Sequence, residues 1–250
     1  MKRILTISLL LLAVICTVSA DRRRLLGVRN VAAGATSPTP EILWWKLNEG
    51  SGTSITGDGS NGGDDGTTDA SWLTGKSGSL YCTDYNGTDD GTQSNAAITY
   101  GVATITVCAW VYLDATTDGM IWESSELYTS NPNSFDFLIF GGQLYAAIQG
   151  TSGLRLEHIA VPSTGSWKHL AVVYFNTTNN GDVKFYVDGA EQVSTTDTNT
   201  KADNANFATE IFNCGSRNQT GLFMNGRIDD LRIYSGDQSA SLGTISADAQ

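Results

Sequence analysis

Residues 167–189 read "WKHLAVVYFNTTNNGDVKFYVDG", and this stretch decides the fold. Two runs rich in β-branched and aromatic residues, 167–175 and 182–187, flank a polar turn. The second run closes on Asp188-Gly189. A type I′ turn needs positive φ at both central positions, and Asp and Gly tolerate it, so the pair predicts a tight turn at a sheet corner. Along the first run, Trp167, Ala171, Val173 and Phe175 fall on one side and Leu170, Val172 and Tyr174 on the other. A strand that is apolar on both sides belongs in the middle of a thick sandwich, with something covering its outer face.

The same pattern extends in both directions. "ILWWKL" (42–47) is a dense apolar run that leads into a Gly- and Asp-rich polar stretch. A loop of that length inside a compact domain has a function or an ion to order it. Then come short apolar runs such as "ATITVCAWVYL", "GMIWES", "FDFLIF", "QLYAAIQ", "GLRLEHIA" and "GRIDDLRIY", separated by Gly, Asn, Asp, Ser and Thr. With 27 Gly, 4 Pro and no long helical period, the 250 residues read as an all-β, two-sheet antiparallel sandwich.

Charge narrows the function classes. The formal net charge is −11, and four of the basic residues cluster at Arg22, Arg23, Arg24 and Arg29. That balance excludes nucleic acid, whose affinity comes from basic side chains on phosphates. It suits a soluble extracellular protein. Residues 1–20 carry a basic start (Lys2, Arg3), an apolar run and a small-residue close at Val18-Ser19-Ala20. This is the pattern of a secretory signal peptide. The apolar run is short for a membrane span, so membrane association is expected only if this leader is retained as an anchor. Residues 21–41 read as a disordered linker, 42–236 as the domain and 237–250 as a C-terminal tail. Outside the leader, Cys82, Cys108 and Cys214 remain. They allow one disulfide with a leftover thiol, or three buried thiols, because all three lie in strand-like runs.

Five blocks in order carry a resemblance. "WWKLNEGSG" resembles the opening strand of a LamG-like jelly-roll domain. "GKSGSLYCTDYNGTDDG" is similar to its Gly-Lys-x-Gly and Asn-Gly block, and "ATITVCAWVYL" to its central strand with Trp110. "GSWKHLAVVYFNTTNNGDVKFYVDG" resembles its Trp-x-His strand and hairpin, and "NGRIDDLRIYSG" its closing strand. The blocks span about residues 42 to 235 and imply a concanavalin A-like jelly roll of the lectin/glucanase superfamily. The superfamily holds lectins, protein-binding adhesion modules and glycoside hydrolases, so the site must decide the function.

Laminarinase-like hydrolases on this fold carry a Glu-x-Asp-x-x-Glu strand, which is absent here. Glu123 and Glu126 lack the intervening Asp. Asp229 and Asp230 are adjacent, so a regular strand would point them to opposite sides. The expectation is a non-enzyme, with a divergent glycoside hydrolase as the least favoured alternative. Calcium is the expected cofactor, in a structural role. Glu49, Asp58, Asp64, Asp65 and Asp69 lie in the first loop and Asp229 and Asp230 on the last strand, and in jelly rolls of this type the first and last strands are neighbours. Glu49, Asp58 and Asp230 are the candidate ligands, set against a plain solvated acidic loop. For sugar, an aromatic platform with amide hydrogen bonds is sought. Trp122, Tyr128, Asn131, Tyr145 and Gln149 are the candidates, whereas Trp44, Trp45, Trp110 and Trp167 are expected to fill the core, with His169 packed beside Trp167.

The reading is therefore a secreted, non-catalytic carbohydrate-binding module for cell-surface or matrix glycans, the alternative being an adhesion module with an extracellular protein partner. Three acceptor sequences for N-glycosylation occur, at Asn86, Asn176 and Asn218.

Overall fold

The computed structural model describes residues 36–60, 64–76, 80–125, 131–177 and 181–248. Among the described residues, seventeen strands form two antiparallel sheets. In chain order they are β1 (Leu43–Trp45), β2 (Ser54–Ile55), β3 (Gly66–Thr68), β4 (Ser71–Leu73), β5 (Cys82–Asn86), β6 (Thr92–Ser94), β7 (Thr104–Leu113), β8 (Gly119–Ser124) and β9 (Ser134–Phe140). They continue as β10 (Gln143–Gln149), β11 (Leu154–Ala160), β12 (Trp167–Phe175), β13 (Asp182–Val187), β14 (Ala190–Gln192), β15 (Thr195–Asn199), β16 (Phe212–Cys214) and β17 (Asn225–Ser235). A short helix, α1 (Leu242–Ala247), follows.

The first sheet runs β14-β13-β12-β7-β17-β5-β4, and β1 also pairs with β17. The second runs β15-β11-β10-β9-β8-β16-β6-β3-β2. Alternation along β7 explains the layering. Ile105, Val107, Ala109, Val111 and Leu113 enter the cluster between the sheets, while Cys108 joins a separate cluster on the outer face. In β12, Leu170, Val172 and Tyr174 point inward, and Ala171, Val173 and Phe175 pack outward. This is the two-sided strand that its sequence predicts. The Asp-Gly turn forms as expected, with Asp188 at φ 50° and Gly189 at φ 77°, and Val187 opposite Ala190.

The cover over the outer face comes from a segment that reads as a tail. Leu242 and Ile245, one turn apart on α1, bury themselves against Cys108, Ala171, Val173, Tyr186 and Tyr234. The end of the segment read as linker is also tied in. Pro40 is buried, and the Glu41 carboxylate accepts from Ser235 N and Oγ at 3.1 and 3.2 Å.

Two further expectations need correction. Only Trp45 of the four core tryptophans is fully buried, with its ring edge-on to Phe212. Trp44, Trp110 and Trp167 are half-buried on the outer face of the first sheet, where Lys76 lies 3.7 Å above the Trp110 ring and Arg232 4.7 Å from the Trp44 ring. His169 packs on Trp110, its partner in register, at 5.3 Å between ring centres. The second correction concerns Asp229 and Asp230. A β-bulge shifts the register between Asp229 and Arg232, with Asp230 at φ 52°. The extra residue leaves both carboxylates on the outer face, between the inward Ile228 and Leu231.

Candidate functional site

The second sheet has an outward hollow on β9, β10 and β11. In β9, Phe135, Phe137 and Ile139 point into the core, so Asp136, Leu138 and Phe140 face out. In β10, Leu144, Ala146 and Ile148 point in, so Tyr145 and Ala147 face out. Register aligns these into two rows, Asp136–Ala147–Leu156 and Leu138–Tyr145–His158. Ala147, the smallest side chain of the two rows, leaves the depression. The result is a pocket of about 340 Å³, lined by Asp136, Leu138, Phe140, Tyr145, Ala147 and Leu156 from these three strands, with Asp197, Arg217 and Leu222 at its margins. That volume lies within the range of small-ligand sites.

The aromatic part is graded from exposed to held. Phe140 is 54% exposed. The half-buried Tyr145 ring lies 6.5 Å from Phe140 and 5.1 Å from His158, whose Nδ1 meets Asp197 Oδ2. The polar part is a buried clamp. Glu123 on β8 faces Asp136 on β9 in register. Arg217 Nε donates to both Glu123 oxygens at 3.3 and 3.2 Å, and its Nη2 lies 3.5 Å from Asp136 Oδ2. Ser125 Oγ also donates to Glu123 at 2.8 Å. Burial and the neighbouring Glu123 push the Asp136 carboxyl up to about 7, against the opposing pull of Arg217.

The sequence candidates divide around this hollow. Tyr145 lines it. Gln149 shares the outward face two residues beyond Ala147, with its amide donating to Gly150 O at 3.3 Å. Asn131 is half-buried just before the far end of β9, and Tyr128 lies outside the described residues, as does Glu126. Trp122 is not a platform. It is fully buried, its ring centre 4.4 Å from that of Phe137, and Nε1 donates to Tyr174 Oη at 3.0 Å. Asp136, Phe140, His158, Asp197 and Arg217 were missed. One signal existed for Asp136, a lone carboxylate in the apolar run "SFDFLIF". Arg217 and Leu222 come from a loop and had none.

The proposed calcium ligands are engaged elsewhere. Asp230 accepts from Trp44 Nε1 at 2.8 Å and holds Arg232 through both oxygens at 2.8 and 2.7 Å. Asp58 pairs with Lys46 at 3.3 Å, and Glu49 Oε1 accepts from Thr56 N at 2.8 Å. Among the described residues no group of three or more His, Cys, Asp or Glu is placed to hold a metal ion.

No disulfide joins the remaining cysteines. All three are free and buried. Cys108 sits in the outer cluster, Cys214 lies between the sheets against Tyr85 Oη at 3.2 Å, and Cys82 donates to Thr74 O at 3.5 Å. Burial pushes each thiol up to about 12.

The Laminin_G_3 family model, described as the concanavalin A-like lectin/glucanases superfamily, matches residues 86–241. The chain belongs to this superfamily. No curated protein matches it. Among solved structures, the receptor-binding domain of botulinum neurotoxin mosaic serotype C/D superposes with a TM-score of 0.59 at 10% identity, over 84% of this chain and 51% of that one. The chain thus spans about half the length of that domain. Domain 4 of AbnA, an extracellular GH43 arabinanase from Geobacillus stearothermophilus, solved with arabinotriose, superposes with a TM-score of 0.53 at 19% identity, over 85% of this chain and all of that one. Both likenesses show the shared fold.

Within this superfamily a paired carboxylate raises the question of hydrolysis. A retaining pair must project into one cleft, about 5 Å apart, where substrate can reach both groups. Glu123 is fully buried and occupied by Arg217 and Ser125. Glu123 therefore lies behind the pocket wall, which Asp136 lines.

Proposed function

We propose that this chain is a secreted, non-catalytic carbohydrate-binding module whose glycan site is the hollow on β9, β10 and β11. The single observation that carries the reading is the pairing of Tyr145 and Phe140 with Asp136, Asp197 and Arg217 around one pocket. Apolar sugar faces pack on aromatic rings, and polar groups at the margin fix the hydroxyls. The fold shared with an arabinanase domain solved with arabinotriose supports this reading. Secretion rests on the leader pattern of residues 1–20.

A glycan and polysaccharide array, probed with calcium and then with EDTA, tests it. Binding that Tyr145→Ala reduces roughly tenfold, in a protein of unchanged near-UV spectrum, is the expected result. EDTA is expected to leave binding intact. A folded chain that binds no glycan and instead retains a glycosidase-insensitive protein partner would replace this reading with the adhesion alternative.

A further inference from the structure

The charges in the pocket make a further choice, which rests on the carbohydrate-binding reading above. Arg217 is the only cation among the described lining residues. It already faces two carboxylates, Glu123 and Asp136, so its charge is over-compensated from within the protein. Asp197 is held by His158. Asp136 Oδ1 differs from all of these. It is buried, it belongs to a side chain that lines the pocket, and it has no hydrogen-bond partner among the described residues. A buried acceptor left unmet is costly, and a ligand that brings a donor recovers that cost. The pocket around this oxygen is walled by Leu138, Tyr145, Ala147 and Leu156, which carry no positive charge for an incoming anion.

We propose that the pocket selects uncharged sugar residues over uronic-acid and sulfated ones, and that Asp136 sets this choice by accepting a hydrogen bond from a sugar hydroxyl through Oδ1. An anionic sugar meets Asp136 and Asp197 at the walls and Glu123 behind them, with one cation already shared between two of the three. A hydroxyl supplies the missing donor and adds no charge. The carboxyl ionises near neutrality under the combined influence of burial, Glu123 and Arg217, with Asp197 and His158 facing the same space. Affinity for an uncharged sugar therefore rises as Asp136 loses its proton.

Calorimetric titration of the full chain with matched oligosaccharide pairs tests the proposal. Suitable pairs are fully methyl-esterified with free-acid oligogalacturonides and unsulfated with sulfated galactan oligosaccharides, each pair of equal length. The neutral member is expected to bind roughly tenfold or more tightly than its anionic partner at pH about 8. Asp136→Asn is expected to weaken the neutral sugar and to narrow the gap. A second reading needs no variant: wild-type affinity for the neutral sugar should rise between about pH 6 and about pH 8. An anionic sugar that binds as tightly as its neutral partner overturns the selectivity and leaves the carbohydrate reading standing. A gap unchanged in Asp136→Asn, together with a flat pH profile, overturns the role of Asp136. Failure of every sugar to bind the folded chain overturns both readings together.

Discussion

Glu123 and Asp136 face each other across β8 and β9, both buried, with one guanidinium, that of Arg217, between them. Two carboxylates and one cation do not balance, and the mismatch falls on Asp136. Glu123 has Arg217 and Ser125, whereas Asp136 has the longer contact to Arg217 and the backbone of Ala147 beside it. The imbalance ties the pocket wall to the loop that carries Arg217.

Removing the cation should cost more than removing a carboxylate. Arg217→Met removes the guanidinium that faces two buried acids and is expected to destabilise the fold by roughly 3 kcal/mol. Asp136→Asn relieves the same repulsion and should destabilise little or stabilise. Urea denaturation of the two variants beside the wild type measures the difference.

Stability should carry two opposed pH slopes. Asp136 titrates at about 7 when folded and near ~3.9 when unfolded, so the folded chain holds a proton the unfolded chain has lost. Its contribution falls as pH rises through that window. His169 is held down to about 4, chiefly by burial and then by Arg232, with Asp188 opposing and Lys76 adding. Below its unfolded value of ~6.5 the unfolded chain holds the extra proton, so this contribution falls as pH drops toward about 4. Melting temperatures across pH should show Asp136→Asn gaining most at neutral and alkaline pH. They should also show His169→Gln with a weaker acid-side loss.

The helical cover should be structural. Leu242→Ala is expected to cost about 3 kcal/mol, because Leu242 is fully buried against the outer cluster. A chain ending at residue 236 should expose Tyr186 and Tyr234 and bind a hydrophobic dye that the full chain does not. Equal melting temperatures for the truncated and full chains would show that the cover is dispensable.

The three thiols should be silent. Alkylation of the native protein followed by peptide mapping is expected to leave Cys82, Cys108 and Cys214 unlabelled, with all three labelled in denaturant. A reducing agent should leave the melting temperature unchanged. Labelling of any one of them in the native state would mean local opening at that strand.

How much of this was legible depended on how local each signal is. The hairpin around Asp188-Gly189 and the two-sided character of β12 follow from neighbours in sequence, and both appear as read. Tyr145 was found as an aromatic near amides in a mid-domain strand, and the structure turns it outward between the inward Leu144 and Ala146. Trp122 was misplaced because a register shift between Met120 and Trp122 breaks the alternation that a reader relies on, and Ile121 and Trp122 both enter the core. The helix α1 was missed because "LGTISA" is too short to show a period. Arg217 meets Glu123 only after the chain has folded back over 94 positions, which no local pattern encodes.

The pairing of the first strand with the last has a consequence for synthesis. Trp44 and Asp230 are hydrogen-bonded across 186 positions, and the strand that β1 pairs with is β17. A ribosome adds about 5–20 residues per second, so β1 emerges on the order of ten seconds before its partner exists. The first sheet therefore cannot close co-translationally from its N-terminal end. A nascent chain with this topology leaves β1 without its strand partner until β17 is released.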